Sequence, residues 1–131
     1  MTHLSEGMSA LLALRISQLN GCGVGVYGHS RSARLAGETE ERLTMIAVWR
    51  DAPFFTDAER AALDLAEWIT AAGRPGHPGA DRTGADRTSA AGRRVLTGAA
   101  RHFALSDVVA LLLVIVAVNL SDRAGTRNST N

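Results

Sequence analysis

Apolar residues along this chain recur at spacings of three and four, and no stretch alternates with period two. The pattern predicts helices and no strands. Met8, Leu11, Leu12, Ile16 and Leu19 mark a first helix over residues 4–19, with Ser5 or Ser9 as N-cap. Asn20-Gly21 ends it, glycine being the usual residue past a helix C-terminus. A second helix is expected from Cys22 to Leu35 or Ala36, stopped by Gly37. A third follows over 38–50, with Leu43, Ile46 and Val48 apolar and acidic residues in its first turn; Pro53 closes that region.

Thr56-Asp57-Ala58-Glu59 is a capping box, and Ala62, Leu63, Ala66 and Ile69 give the helix behind it, residues 57–71, one apolar face. From 72 to 90 the periodicity breaks. Gly73-Arg74-Pro75-Gly76-His77-Pro78-Gly79 is turn chemistry, and it leads into a tandem duplication, Gly79-Ala80-Asp81-Arg82-Thr83 then Gly84-Ala85-Asp86-Arg87-Thr88. The simplest reading is a flexible inserted loop on the surface. A short helix over 91–103 comes next. A last helix over 108–122, capped by Ser106 and Asp107, is apolar all round and is expected in the middle of the core. The tail from 124 to 131 is polar and expected to fray. The expectation is one all-α domain, residues 1–131, of about six helices.

Composition narrows the function classes. The chain has 131 residues, 46% of them apolar and 21% charged, with a formal net charge of +1. That balance offers no electrostatic hold on nucleic acid or an anionic membrane. All 14 basic residues are arginine, which excludes a lysine Schiff base and a Walker-type phosphate loop. A single cysteine cannot close an internal disulfide. The N-terminus lacks the basic, apolar and small-residue succession of a signal peptide, and the unbroken apolar run 108–118 is about half a membrane span. The expected location is the cytoplasm, with no membrane partner.

The chemistry-bearing residues gather in Asn20-Gly21-Cys22-Gly23-Val24-Gly25-Val26-Tyr27-Gly28-His29. Cys22 at a helix N-terminus is placed to favour the thiolate, while the alternative is an unreactive half-buried thiol. His29 follows two helical turns later, a rise of about 10 Å, too far for a direct hydrogen bond along one helix. Gly23, Gly25 and Gly28 each cost about 1 kcal/mol relative to alanine inside a helix and are expected to loosen its first two turns. They also spell a dinucleotide-binding fingerprint, but the preceding segment is helical rather than a strand, so the match carries little. His3, His77 and His102 show no metal-ligand spacing with Cys22 or each other, and neither metal nor cofactor is expected. Trp49, Phe54 and Phe55 read as core or subunit-contact residues. Arg31, Arg34 and Glu38 read as helix-face or cap residues on a solvated surface.

Leu14-Arg15-Ile16-Ser17-Gln18-Leu19-Asn20-Gly21-Cys22, His29, and Ala33-Arg34-Leu35-Ala36-Gly37-Glu38 together resemble the alkylhydroperoxidase D-like (AhpD-like), or carboxymuconolactone decarboxylase, family. Its pattern is Leu-Arg-x-Ser-Gln-x-Asn-Gly-Cys-x-x-Cys-x-x-x-His followed by Ala-Arg-x-Ala-Gly-Glu. The stretch from Trp49 to Leu63 resembles a second family block, in the same order. The resemblance implies a helical fold with a central helical hairpin and thiol-dependent peroxide reduction of the peroxiredoxin type. In that chemistry one thiolate attacks the peroxide, a second thiol condenses with the sulfenic acid, and an external thiol reductant resets the pair. A histidine and a glutamate relay protons. Carried over by position, Cys22 and His29 are the candidate catalytic residues. Gly25 stands where the second cysteine belongs, and Ala10 stands for the glutamate. The resemblance therefore implies a degenerate member, impaired or inactive as an oxidoreductase, with one-cysteine reactivity at Cys22 as its remnant. Two alternatives stand beside it: a non-enzymatic oligomeric or small-molecule-binding scaffold, and a decarboxylase-like acid/base enzyme using His29. A homo-oligomer (dimer, trimer or hexamer) is expected by resemblance.

Overall fold

The computed structural model describes residues 3–74 and 85–128. Among them are six α-helices, one 3-10 helix and no strand. Helix α1, Glu6–Asn20, starts at Ser5, whose side chain accepts from the Met8 backbone N–H. It ends at Gly21, in the left-handed region at φ 65°. Gly21 N–H donates to Gln18 O and Cys22 N–H to Ser17 O, so a Schellman turn carries the chain directly into α2, Gly23–Leu35. These two helices are the expected hairpin. α2 is helical from Gly23 onward despite its glycines.

The third helix is shorter than the periodicity suggests. α3 spans Glu40–Met45 behind a Thr39 cap, and the chain then tightens into a 3-10 helix over Ile46–Asp51. Val48 leaves helical geometry at φ −126°, ψ 35°, which breaks the expected 38–50 helix. The break accompanies burial of Trp49, 3% exposed, whose indole N–H donates to Glu67 on the next helix. α4, Asp57–Ala72, has the complete capping box of Thr56 and Glu59.

α5 spans Ala85–His102, so the inserted loop does not reach residue 90 as expected. The dense Gly/Pro cluster stops at Gly84, and no glycine or proline falls in the next seven residues to oppose a helix. The rest of that loop, with His77 and the first copy of the repeat, lies outside the described residues. α6 spans Leu105–Asn128. It begins three residues before the expected start, because Val108 N–H already bonds Ala104 O, and helix continues through 124–128, where fraying was expected.

The core belongs to α1. Met8, Leu11, Leu12, Leu14 and Ile16 are at most 2% exposed, since α1 packs against α2, α4 and α6 together. The central position expected for α6 is therefore wrong. α6 buries one stripe, Val108, Leu111, Ile115, Asn119 and Asp122, and leaves Leu105, Leu113 and Leu120 61–80% exposed. Its neighbours α1, α4 and α5 do not surround it. Over Leu105–Gly125 it is also long and apolar enough to cross a membrane by length and composition, a property the shorter unbroken run concealed.

Arg42 on α3 ties the lower layer together. Its guanidinium donates to Phe54 O (2.9 Å) and to both oxygens of Glu59 (3.1 and 2.5 Å), and it lies over the Phe55 ring. It also meets Glu38, whose side chain is only 11% exposed, so Glu38 is not the solvated surface residue expected. Gly7 makes this possible: a Cβ there would come within 2.6 Å of Glu38 Cγ. Arg34 does sit on the surface, paired with Glu40, and Arg31 is exposed. Phe55 is buried, whereas Phe54 is 39% exposed.

A candidate site around Cys22 and His29

Cys22 is the residue at which α1 hands over to α2. Its backbone is committed twice, N–H to Ser17 O at 3.0 Å and carbonyl to Val26 N–H at 2.9 Å. The thiol is free and 5% exposed, and it makes no capping hydrogen bond to the helix it precedes. His29 is the seventh residue of α2 and half-buried. Both residues line one open groove of about 380 Å³ between α2 and the C-terminal part of α6. Gly25, Gly28 and Ser32 complete the α2 side, and Ser121, Asp122 and Gly125 form the other wall. Tertiary structure thus brings the thiol and the imidazole to one surface. The two-turn rise between them keeps them from acting as a hydrogen-bonded pair along the helix.

Position 25 decides what the groove can do. A Cβ on Gly25 would fall 2.3 Å from Ser17 Oγ, 2.9 Å from Ser17 Cβ and 2.9 Å from Asp122 Oδ1. The space a second cysteine needs is occupied by these two side chains. Ser17 Oγ lies 3.0 Å from both carboxylate oxygens of Asp122, and its single proton is shared between them. Asn20 Nδ2 donates to Asp122 Oδ2 and to Asn119 Oδ1, while Asn119 Nδ2 donates to Thr70 Oγ1 and Ile115 O. Ser17, Thr70, Asn119 and Asp122 are at most 6% exposed. This is a satisfied buried polar network tying α1, α4 and α6 together, and its Ser17–Asp122 arm fills the floor under Gly25.

Sequence reasoning passed over that network. Its signals were Ser17 and Asn20, quoted only as parts of the family motif, and the pair Asn119 and Asp122, polar residues three apart inside an otherwise apolar helix, which a helix places on a single face. The glutamate position of the proton relay gives the opposite result. Ala10 is partly buried against the core and supplies no titratable group.

Among the described residues, the groove's side-chain chemistry is one buried thiol, one imidazole, two serine hydroxyls and a carboxylate already engaged by Ser17 and Asn20. It can accept a small polar molecule against His29. It cannot hold a pair of thiols three residues apart without displacing Ser17 or Asp122.

The carboxymuconolactone decarboxylase family profile matches residues 2–68. The uncharacterised protein YdfG of Bacillus subtilis (strain 168) is 42% identical over 60 residues, which is 46% of this chain. The aligned part spans only 41% of that relative's length. A crystal structure from Agrobacterium tumefaciens, of a protein of unknown function described as a candidate antioxidant defence protein AhpD, superposes with a TM-score of 0.70 at 27% identity. That similarity covers 95% of this chain and 75% of the other.

Proposed function

The chain belongs to the carboxymuconolactone decarboxylase family, and on that premise we propose that it is an AhpD-like protein that has kept the helical scaffold and lost the two-thiol peroxidase cycle. The observation that carries this reading is glycine at position 25, where the second thiol would stand, with Asp122 and the motif's own Ser17 packed against it. In the two-thiol cycle a thiolate attacks the peroxide, the O–O bond breaks, and an alcohol leaves with a proton. The second thiol then condenses with the sulfenic acid and expels water, and an external dithiol reduces the resulting disulfide. In this chain the condensing partner is absent and its place is filled. Cys22 is 5% exposed, which further slows attack on a peroxide.

The test is dithiol-coupled consumption of hydrogen peroxide and tert-butyl hydroperoxide from pH 5 to 9. Wild type and Cys22→Ser are expected to consume peroxide at the same rate. A Cys22-dependent rate above that of a free thiol would replace this reading with a one-cysteine peroxidase reset by an external thiol.

A scaffold role is supported by what α6 leaves uncovered. Val109, Leu113, Val116 and Leu120 follow one another at spacings of four, three and four, all at least 47% exposed. Ala110 and Ala117, seven apart, lie exposed beside them. Such a stripe has the phase of a coiled-coil seam, and small flanking residues let helices approach closely. A second copy of α6 supplies a matching stripe, so we propose a homo-oligomer joined along this helix. Light scattering at tens of micromolar should give a multiple of the 13.8 kDa chain mass. Leu113→Glu with Leu120→Glu should return the mass to that of one chain. A monomeric wild type, or one that partitions into lipid vesicles through this helix, would overturn the assembly.

A further inference from the structure

At the other end of the paired α1 and α6 helices from Cys22 lies a cavity of about 210 Å³, which the reading of the Cys22 groove does not use. Leu12, Phe103 and Leu111 wall it, at most 4% exposed, and Ser9, His3 and Asp107 bring polar atoms to it. Asp107 sits in the first turn of α6, where an acidic side chain complements the helix dipole. Its Oδ1 accepts from His3 Nδ1 at 2.9 Å. Asp107 as a side chain is 23% exposed, but its Oδ2 atom is buried and has no hydrogen-bond partner among the described residues. A buried carboxylate oxygen without a donor is costly, and natural structures rarely leave one unanswered. Leu12, Phe103 and Leu111 make one side of the cavity apolar, while His3, Ser9 and Asp107 make the other side polar.

The geometry points to a ligand that combines a cationic donor with an apolar body. We propose that this cavity binds a small primary amine, its ammonium group donating to Asp107 Oδ2 and its hydrocarbon part lying against Leu12, Phe103 and Leu111. A cavity of about 150 Å³ lined by similar side chains takes a benzene ring, so this one accommodates roughly six carbons. The ammonium is preferred over a hydroxyl because a hydrogen bond between opposite charges is roughly twice as strong as a neutral one.

The test is calorimetric titration of the full chain with n-hexylamine, n-hexanol and hexanoate at pH 7, with methyl chemical shifts recorded in parallel. Hexylamine is expected to bind at least tenfold more tightly than hexanol, hexanoate to show no binding, and the shifted methyls to be those of Leu12 and Leu111. Asp107→Asn should remove the tenfold preference while hexanol still binds. Ser9→Phe, which fills the cavity from α1, should abolish both. Equal affinity for amine and alcohol, an unchanged preference in Asp107→Asn, or shifts confined to the Cys22 groove would each overturn the proposal. The comparison of the three probes on wild type decides the matter even if a variant fails to fold.

Discussion

Gly25→Cys, which restores the family's second cysteine, is expected to destabilise this protein by about 3 kcal/mol and not to produce a disulfide with Cys22. Overpacking a filled site costs about 1–3 kcal/mol. Here the added Cβ meets Ser17 Oγ at 2.3 Å and Asp122 Oδ1 at 2.9 Å, so one of those groups must move. Moving either breaks a hydrogen bond between side chains that are at most 2% exposed, at a further cost of about 1–3 kcal/mol. The gain from removing a helical glycine, about 1 kcal/mol, offsets only part of this. Denaturant unfolding measures the loss, and thiol titration should count two free thiols under oxidising conditions. Gly25→Ala makes the steric test without the sulfur. Adding Ser17→Ala to Gly25→Cys should recover part of the stability, because the closest atom is then gone and the two substitutions are coupled. A Gly25→Cys protein as stable as wild type and carrying a disulfide would remove the basis for reading this site as closed.

Arg42→Ala is expected to cost about 3–5 kcal/mol, the range for removing one partner of a buried ion pair. The arginine is 18% exposed and faces Glu38 and Glu59, 11% and 13% exposed, so its loss strands two largely buried carboxylates and the Phe54 carbonyl. The same site sets a pH dependence. Burial acts to raise the Glu59 pKa, but hydrogen bonds from Arg42 and from Thr56 outweigh it and hold the carboxyl below its usual 4.5. A lowered folded pKa means that the stabilisation is present above the ordinary glutamate range and is lost as pH falls through the lowered value. Glu67 behaves alike: burial opposes the shift, and Arg15 and Trp49 donate to it. Wild-type stability should therefore decline as pH drops below about 4.5, and Arg42→Ala should show a shallower decline. Equal slopes in the two proteins would mean that Glu59 draws its stabilisation from its cap position and not from Arg42.

Most of the helical outline was legible because its determinants are local. Ser5, Thr56 with Glu59, and Gly21 each act on backbone groups within five positions, so the ends of α1 and the start of α4 follow from neighbours in the chain. The family motif was legible for the same reason, being written in one continuous stretch around Cys22. The break at Val48 was not, because it accompanies Trp49 reaching Glu67 on another helix. The start of α5 was missed through the repeat itself, whose second copy looked like loop although its glycine ends the Gly/Pro cluster.

By itself the sequence determined that this protein is all-helical, that it carries the family's hairpin, and that one thiol stands where two are expected. Tertiary structure alone decided that α1 and not α6 is the core helix, since hydropathy records how apolar a helix is and not how many neighbours surround it. It alone decided the fate of position 25 as well. A missing cysteine reads the same in sequence whether its place is empty or filled, and here it is filled by Ser17 and Asp122, which lie 105 residues apart in the chain and meet only because α1 and α6 pack side by side.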